Sequence, residues 1–189
     1  MKIRTLLLSL AALSVWTASA QVSISILNPQ FNADALACSP GSQCYEFGIT
    51  GWLVGPLSGV SKVSTVQYPS APTQGLYVGF LGYPPSTGSM SQTLGATVQA
   101  NTTYVLKVTV GARADFPFTG YFAALMAGNV TLAVGNRATP AGGTFVTEEI
   151  VYQSGTNPAQ LSQPLQILIK SLGTGQVSVT DVSLTAIPE

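Results

Sequence analysis

Apolar and polar positions alternate along much of the chain, and no segment repeats at the spacing of a helix. Thr103 to Val110 is the clearest case. Tyr104, Leu106, Val108 and Val110 fall on one face, with Thr103, Lys107 and Thr109 on the other. Val22 to Leu27 sets Val22, Ile24 and Ile26 against Ser23 and Ser25. Further short runs occur at Gly51 to Val54, Val60 to Tyr68, Leu76 to Phe80, Ser89 to Leu94, Thr144 to Tyr152 and Leu165 to Ile169. Tyr121 to Met126 and Val130 to Val134 flank Ala127-Gly128-Asn129, which predicts a hairpin. In the last run Val177 and Val179 share one parity, whereas Val182 and Leu184 take the other. That slip predicts a β-bulge near Asp181. The pattern predicts about ten strands in an antiparallel β-sandwich, all-β, with one face of each sheet buried.

Composition narrows the chemistry. The 189 residues include seven Lys and Arg, seven Asp and Glu, and no His. Charged residues make up 7%, against roughly 25% in ordinary soluble domains. Ser and Thr coat the wet faces instead. Without His there is no Ser-His-Asp triad and no His-ligated metal. Without a basic run there is no nucleic-acid footprint. The length suits one domain, residues 21–189.

The first twenty residues read as a signal peptide rather than part of the fold. Lys2 and Arg4 precede an apolar run from Thr5 to Trp16, and Ala18-Ser19-Ala20 is a small-residue cleavage site. The run is short for a membrane span, and no later one is long enough. Secretion, to an extracellular or periplasmic location, is the expectation. Loss of Lys2 and Arg4 leaves five cations against seven carboxylates, a net of −2. In an oxidising compartment Cys38 and Cys44, in a turn-rich loop, are expected to form a disulfide worth about 2 kcal/mol. Two thiolates without His make a poor metal site.

Several residues in series carry a resemblance. They are Asn28-Pro29-Gln30-Phe31, Gly51-Trp52, Gly75 to Gly82, Ser91-Gln92-Thr93-Leu94, Ala100 to Tyr104, Val110 to Arg113, Gly120-Tyr121 and Thr180 to Leu184. The series resembles the galactose-binding-like jelly-roll domains of exported bacterial proteins, and especially PEP-CTERM-type proteins. The resemblance implies a jelly roll related to carbohydrate-binding modules, and no enzyme. In related modules the first motif and the late Asp often hold a structural Ca²⁺. Asp181 matches the late Asp, but Asn32 stands where relatives carry an acid. The sequence stops at Ile187-Pro188-Glu189, at the first letters of a sorting tail, so a freely secreted protein is expected.

The candidate sites follow. Asp181 with Asn28 or Asn32 can supply ligands to a structural calcium; the rival reading is that Asp181 caps the bulge. No other cofactor is expected. Glu148 and Glu149 are strand neighbours and point to opposite faces, and no carboxylate pair has a spacing that predicts a catalytic dyad. The catalytic set is therefore none. Tyr83, Phe116, Phe118 and Tyr121 flank loops and offer ring faces for sugar stacking. Arg113 can contact a ligand or pair locally with Asp115. Trp52 is expected in the core. The reading is a secreted, non-catalytic module that binds a carbohydrate or exopolysaccharide in the matrix. The rivals are a structural or adhesive matrix protein without small ligand, and a small secreted glycoside hydrolase.

Overall fold

Alternating side chains bury only one face of a sheet, so two sheets must close on each other. The computed structural model describes residues 20–34, 36, 44–70, 76–83, 87–135 and 139–189. Residues 1–19 of the expected signal peptide, and Cys38 of the expected disulfide, lie outside them.

The described residues form twelve strands and no helix. One antiparallel sheet runs in the order β10 (Thr144–Gln153), β7 (Thr102–Ala112), β12 (Val177–Pro188), β5 (Tyr77–Leu81), β4 (Ser58–Lys62) and β2 (Cys44–Phe47), with β1 (Val22–Ile24) also paired to β12. The other runs β3 (Leu53–Val54), β6 (Ser89–Thr97), β11 (Pro164–Ser171), β8 (Tyr121–Ala127) and β9 (Val130–Val134). The expected β-sandwich is present.

The core lies between the sheets. Tyr104, Leu106, Val108 and Val110 of β7 are buried, and they share a cluster with Leu165, Ile167 and Ile169 of β11 and Leu125 of β8. Each such side chain contributes about 1.5–3 kcal/mol when fully buried. The β8–β9 turn has Gly128 at φ 54° and Asn129 at φ 67°. Two successive left-handed residues are what a tight hairpin between twisted strands requires.

The bulge stands where the parity slips. The register of β12 against β7 shifts between Val179 and Asp181. Val177, Val179, Val182 and Leu184 are consequently all buried. The same bulge divides the other edge of β12. Val177 to Val179 pair with β5, and Leu184 to Ala186 pair with β1.

Two expectations change in extent. The run from Val60 to Tyr68 is strand only as far as Lys62. Beyond it the backbone N–H of Tyr68 donates to the Ser64 carbonyl at 3.0 Å, and the buried Gln67 side chain accepts from the Ser64 N–H at 2.9 Å. These bonds close a turn. β2 was not expected at all. Its four residues, Cys-Tyr-Glu-Phe, are too few to display a period.

Candidate functional site

Gly79 locates the functional face. A side chain there would strike Met90 and Phe31 of the core. Val78 and Phe80 therefore point the other way, onto the outer face of the larger sheet. By the same alternation Gly111 and Ser178, paired across β7 and β12, also face outward, between core residues on either side. Arg113 and Gln176 extend these two rows by one step.

This outer face is aromatic. Tyr45 and Phe47 of β2 close over Phe80. The three ring pairs meet at 5.7, 6.0 and 6.0 Å, edge to face. Phe80 is buried beneath rings that are 62% and 57% exposed. The position of β2 depends on Gly59. A Cβ there would lie 1.9 Å from the Glu46 carbonyl oxygen and 2.8 Å from the Phe47 Cα, so only glycine lets β2 approach β4 this closely.

Between these rings and the ends of β7 and β12 lies a cavity of about 390 Å³, lined by Tyr45, Phe47, Phe80 and Tyr83 on its apolar side. Arg113 and Gln176 form its polar end, with Ser61 and Leu57 at the margin. The size and the mix of apolar walls with few polar groups are those of a small-molecule site.

Arg113 is clamped. Its Nε and Nη2 donate to the two oxygens of Asp115 at 2.9 and 2.6 Å, and Nη1 donates to Gln176 Oε1 at 2.8 Å. Its guanidinium carbon lies 5.8 Å from the centre of the Phe116 ring. These hydrogen bonds from Arg113 hold the Asp115 carboxyl below its ordinary 3.8. The Phe116 loop is seated by Gly175, at φ 90°, where a Cβ would strike the Pro117 carbonyl and the Phe118 Cα. Phe116 in turn meets Tyr83 at 5.9 Å.

The structure therefore brings Tyr83, Phe116 and Arg113 together at one end of the cavity. Phe118 and Tyr121 are elsewhere. Both are buried between the sheets, in edge-to-face contact at 5.8 Å, because Tyr121 begins β8 with its ring on the core side. Neither presents a ring face to solvent. The Tyr121 hydroxyl donates to Glu148 at 2.7 Å, and Glu149 pairs with Lys107 on the opposite face at 3.2 Å. Glu148 turns inward by ordinary alternation, with no register shift between β10 and β7. Trp52 is in the core as expected, its indole N–H donating to the Asn28 carbonyl at 3.2 Å.

Of the calcium candidates, Asn28 is engaged apart from the other two. The Asn28 side-chain amide donates to Asp34 at 3.0 Å and to the Thr50 carbonyl at 3.1 Å, and its oxygen accepts from the Ala33 N–H. Asn32 and Asp181 instead border a separate hollow with Gln30, Tyr77 and Thr180. Asp181 is the one carboxylate there, and among the described residues no three acids or thiols cluster. A hard cation favours six to eight oxygens with more charge than this, so the three residues as placed do not fit it.

Sequence reasoning missed Phe80, Gln176 and Ser61. Nor did it place Tyr45 and Phe47 in a site. One signal was available: Gly79 sits between Val78 and Phe80, which leaves the outer face as the side that carries bulk.

The outer sheet face of this jelly roll thus carries an aromatic cavity, bounded at one end by a fixed guanidinium. Residues 22–185 match the HpiC1-like family model, described as HpiC1 cyclase, and the chain belongs to that family. Among solved structures it is similar to the Stig cyclase FisC from Fischerella sp. TAU in complex with (3Z)-3-(1-methyl-2-pyrrolidinylidene)-3H-indole. The TM-score is 0.77 at 24% identity, over 89% of this chain and 99% of that one. A second cyclase structure from Fischerella sp. TAU, in complex with 4-(1H-indol-3-yl)butan-2-one, has a TM-score of 0.74 at 24% identity, over 88% and 98% of the two chains. TmCBM61 in complex with β-1,4-galactotriose follows at 0.54 and 17%, over 85% and 97%. No curated protein matches the sequence. At these identities the structural likeness concerns the fold.

Membership of a cyclase family overturns the expectation of a non-catalytic, carbohydrate-binding module. The likeness to carbohydrate modules holds for the jelly roll itself. It misled because one architecture serves both tasks. Among the described residues no helix is long and apolar enough to cross a membrane.

Proposed function

We propose that this protein is a cyclase that folds an aromatic, indole-class substrate into the outer-face cavity and promotes an intramolecular ring closure. The observation that carries the reading is the three-ring wall of Tyr45, Phe47 and Phe80 facing Arg113, in a chain of the HpiC1 cyclase family. The indole ligands held by the two Fischerella cyclases support the substrate class. A cavity of about 390 Å³ takes one such bicyclic ring with a short substituent.

The geometry suits catalysis by orientation. Ring faces desolvate the substrate and hold its reacting carbons close, which converts part of the barrier into binding. No carboxylate lines the cavity among the described residues. The polar side chains that line it are Tyr45, Tyr83, Ser61, Gln176 and Arg113, and the Ser61 hydroxyl already donates to the Cys44 carbonyl at 3.1 Å. We further place the reaction outside the cytoplasm, on the charged, apolar and small-residue order of residues 1–20.

Calorimetric titration with 4-(1H-indol-3-yl)butan-2-one tests the site. Saturable one-to-one binding is expected, weakened about tenfold by Phe47→Ala, since a packed ring contact is worth about 1 kcal/mol or more. Phe47 is 57% exposed, so its truncation leaves the core intact. Absence of saturable binding, or binding indifferent to Phe47→Ala, would refute the proposal.

A further inference from the structure

The polar end of the cavity says what the ligand carries beside its aromatic ring. A guanidinium has five N–H donors. In Arg113 two are spent on Asp115 and one on Gln176. One N–H remains on each terminal nitrogen. The side chain is only 11% exposed and borders the cavity. Asp115, Gln176 and the Phe116 ring hold the guanidinium on its other sides, so the free donors are fixed before any ligand arrives. Gln176 is itself oriented, its amide nitrogen donating to the Gly82 carbonyl at 3.4 Å.

Charge decides the kind of acceptor. Arg113 is the one charged residue among those described as lining the cavity, and Asp115 already compensates it. A ligand carboxylate would place a second anion beside Asp115 with no further cation to meet it. A ligand ammonium would face the guanidinium. A neutral acceptor meets neither penalty and gains a charge-assisted hydrogen bond. We infer that Arg113 is a specificity-determining residue, selecting substrates with a neutral oxygen acceptor of the ketone or amide type next to the aromatic ring. The inference rests on the indole-class reading above and adds the substituent to it.

The test compares four probes on the whole protein. One is the indolyl ketone already named; in the other three its carbonyl is replaced by a methylene, a carboxylate or an ammonium group. The ketone is expected to bind about tenfold more tightly than the plain alkylindole, the return on one hydrogen bond to a charged donor. Arg113→Met, which keeps the stem, should abolish that preference while alkylindole binding persists. Asp115→Asn should leave the guanidinium uncompensated and turn the preference toward the carboxylate, a reversal that a merely structural role of the pair would not produce. Equal binding of ketone and alkylindole by the unaltered protein, a preference that survives Arg113→Met, or no gain for the carboxylate in Asp115→Asn would overturn the inference and leave the indole reading standing. Failure of all four probes to bind would overturn both.

Discussion

Tyr68 is the residue whose environment is least satisfied. It is fully buried on the outer face, stacked on Phe145 at 4.3 Å, and its hydroxyl meets no partner at full hydrogen-bond geometry among the described residues. Ser178 stands beside it and partly offsets the effect of burial on the phenol, without reaching full hydrogen-bond geometry. An unpaired buried hydroxyl costs about 1–3 kcal/mol of desolvation. Tyr68→Phe removes that cost and keeps the stacked ring. The expected outcome in urea unfolding is a stability unchanged or raised by about 1 kcal/mol. A loss of more than about 1 kcal/mol would show that the hydroxyl is bonded in solution. Single residues were unevenly legible in the sequence. The Arg113 and Asp115 pair follows from a spacing of two at a strand end. The core place of Phe118 and Tyr121 does not, because an aromatic beside a Pro-Gly loop suits either a surface or a core until the strand's inward parity is known.

Among the elements, β12 shows most plainly how sequence becomes structure. Its apolar residues change parity once, and the backbone answers with a bulge that keeps both halves turned inward. Thr180 is the extra residue, and its hydroxyl donates to the Tyr77 carbonyl of β5 at 3.3 Å. Deleting Thr180 removes the bulge without removing any apolar side chain. A continuous strand then carries Val177, Val179, Val182 and Leu184 at a single parity, so all four still point inward. What is lost is the hydroxyl bond to Tyr77, worth about 1 kcal/mol. The deletion variant is therefore expected to keep cooperative unfolding and its near-UV circular dichroism. Loss of both would mean that β12 is held by the register its bulge sets against β5 and β1, not by its phase. Strands with long alternation, such as β7, were legible for the same reason. β2 was not, although it supplies two of the three wall rings. Its place comes from Gly59 in a distant strand, and such a contact leaves no local period.

Across the whole molecule, fold class was legible and function was not, since the sandwich core is indifferent to what its outer face holds. The core and the outer face each bury a tyrosine hydroxyl, and this gives the fold a measurable response to alkali. Tyr121 on β8 reaches across to Glu148 on β10, so this bond ties one sheet to the other. Tyr68 sits on the outer face against Phe145. Burial pushes both phenols above their ordinary 10.0, and for Tyr121 the neighbouring Glu148 adds to the effect. The folded chain therefore keeps two protons that the unfolded chain releases above pH 10.0. Their contribution to stability is fully present below that pH and is lost progressively as pH rises through the folded values. Urea midpoints should be flat on this account up to about pH 9 and fall steeply by about pH 11. In Tyr68→Phe one of the two protons is absent, so the alkaline slope should fall to about half. An alkaline slope that Tyr68→Phe leaves unchanged would show that Tyr68 ionises in the folded protein as readily as in the unfolded chain.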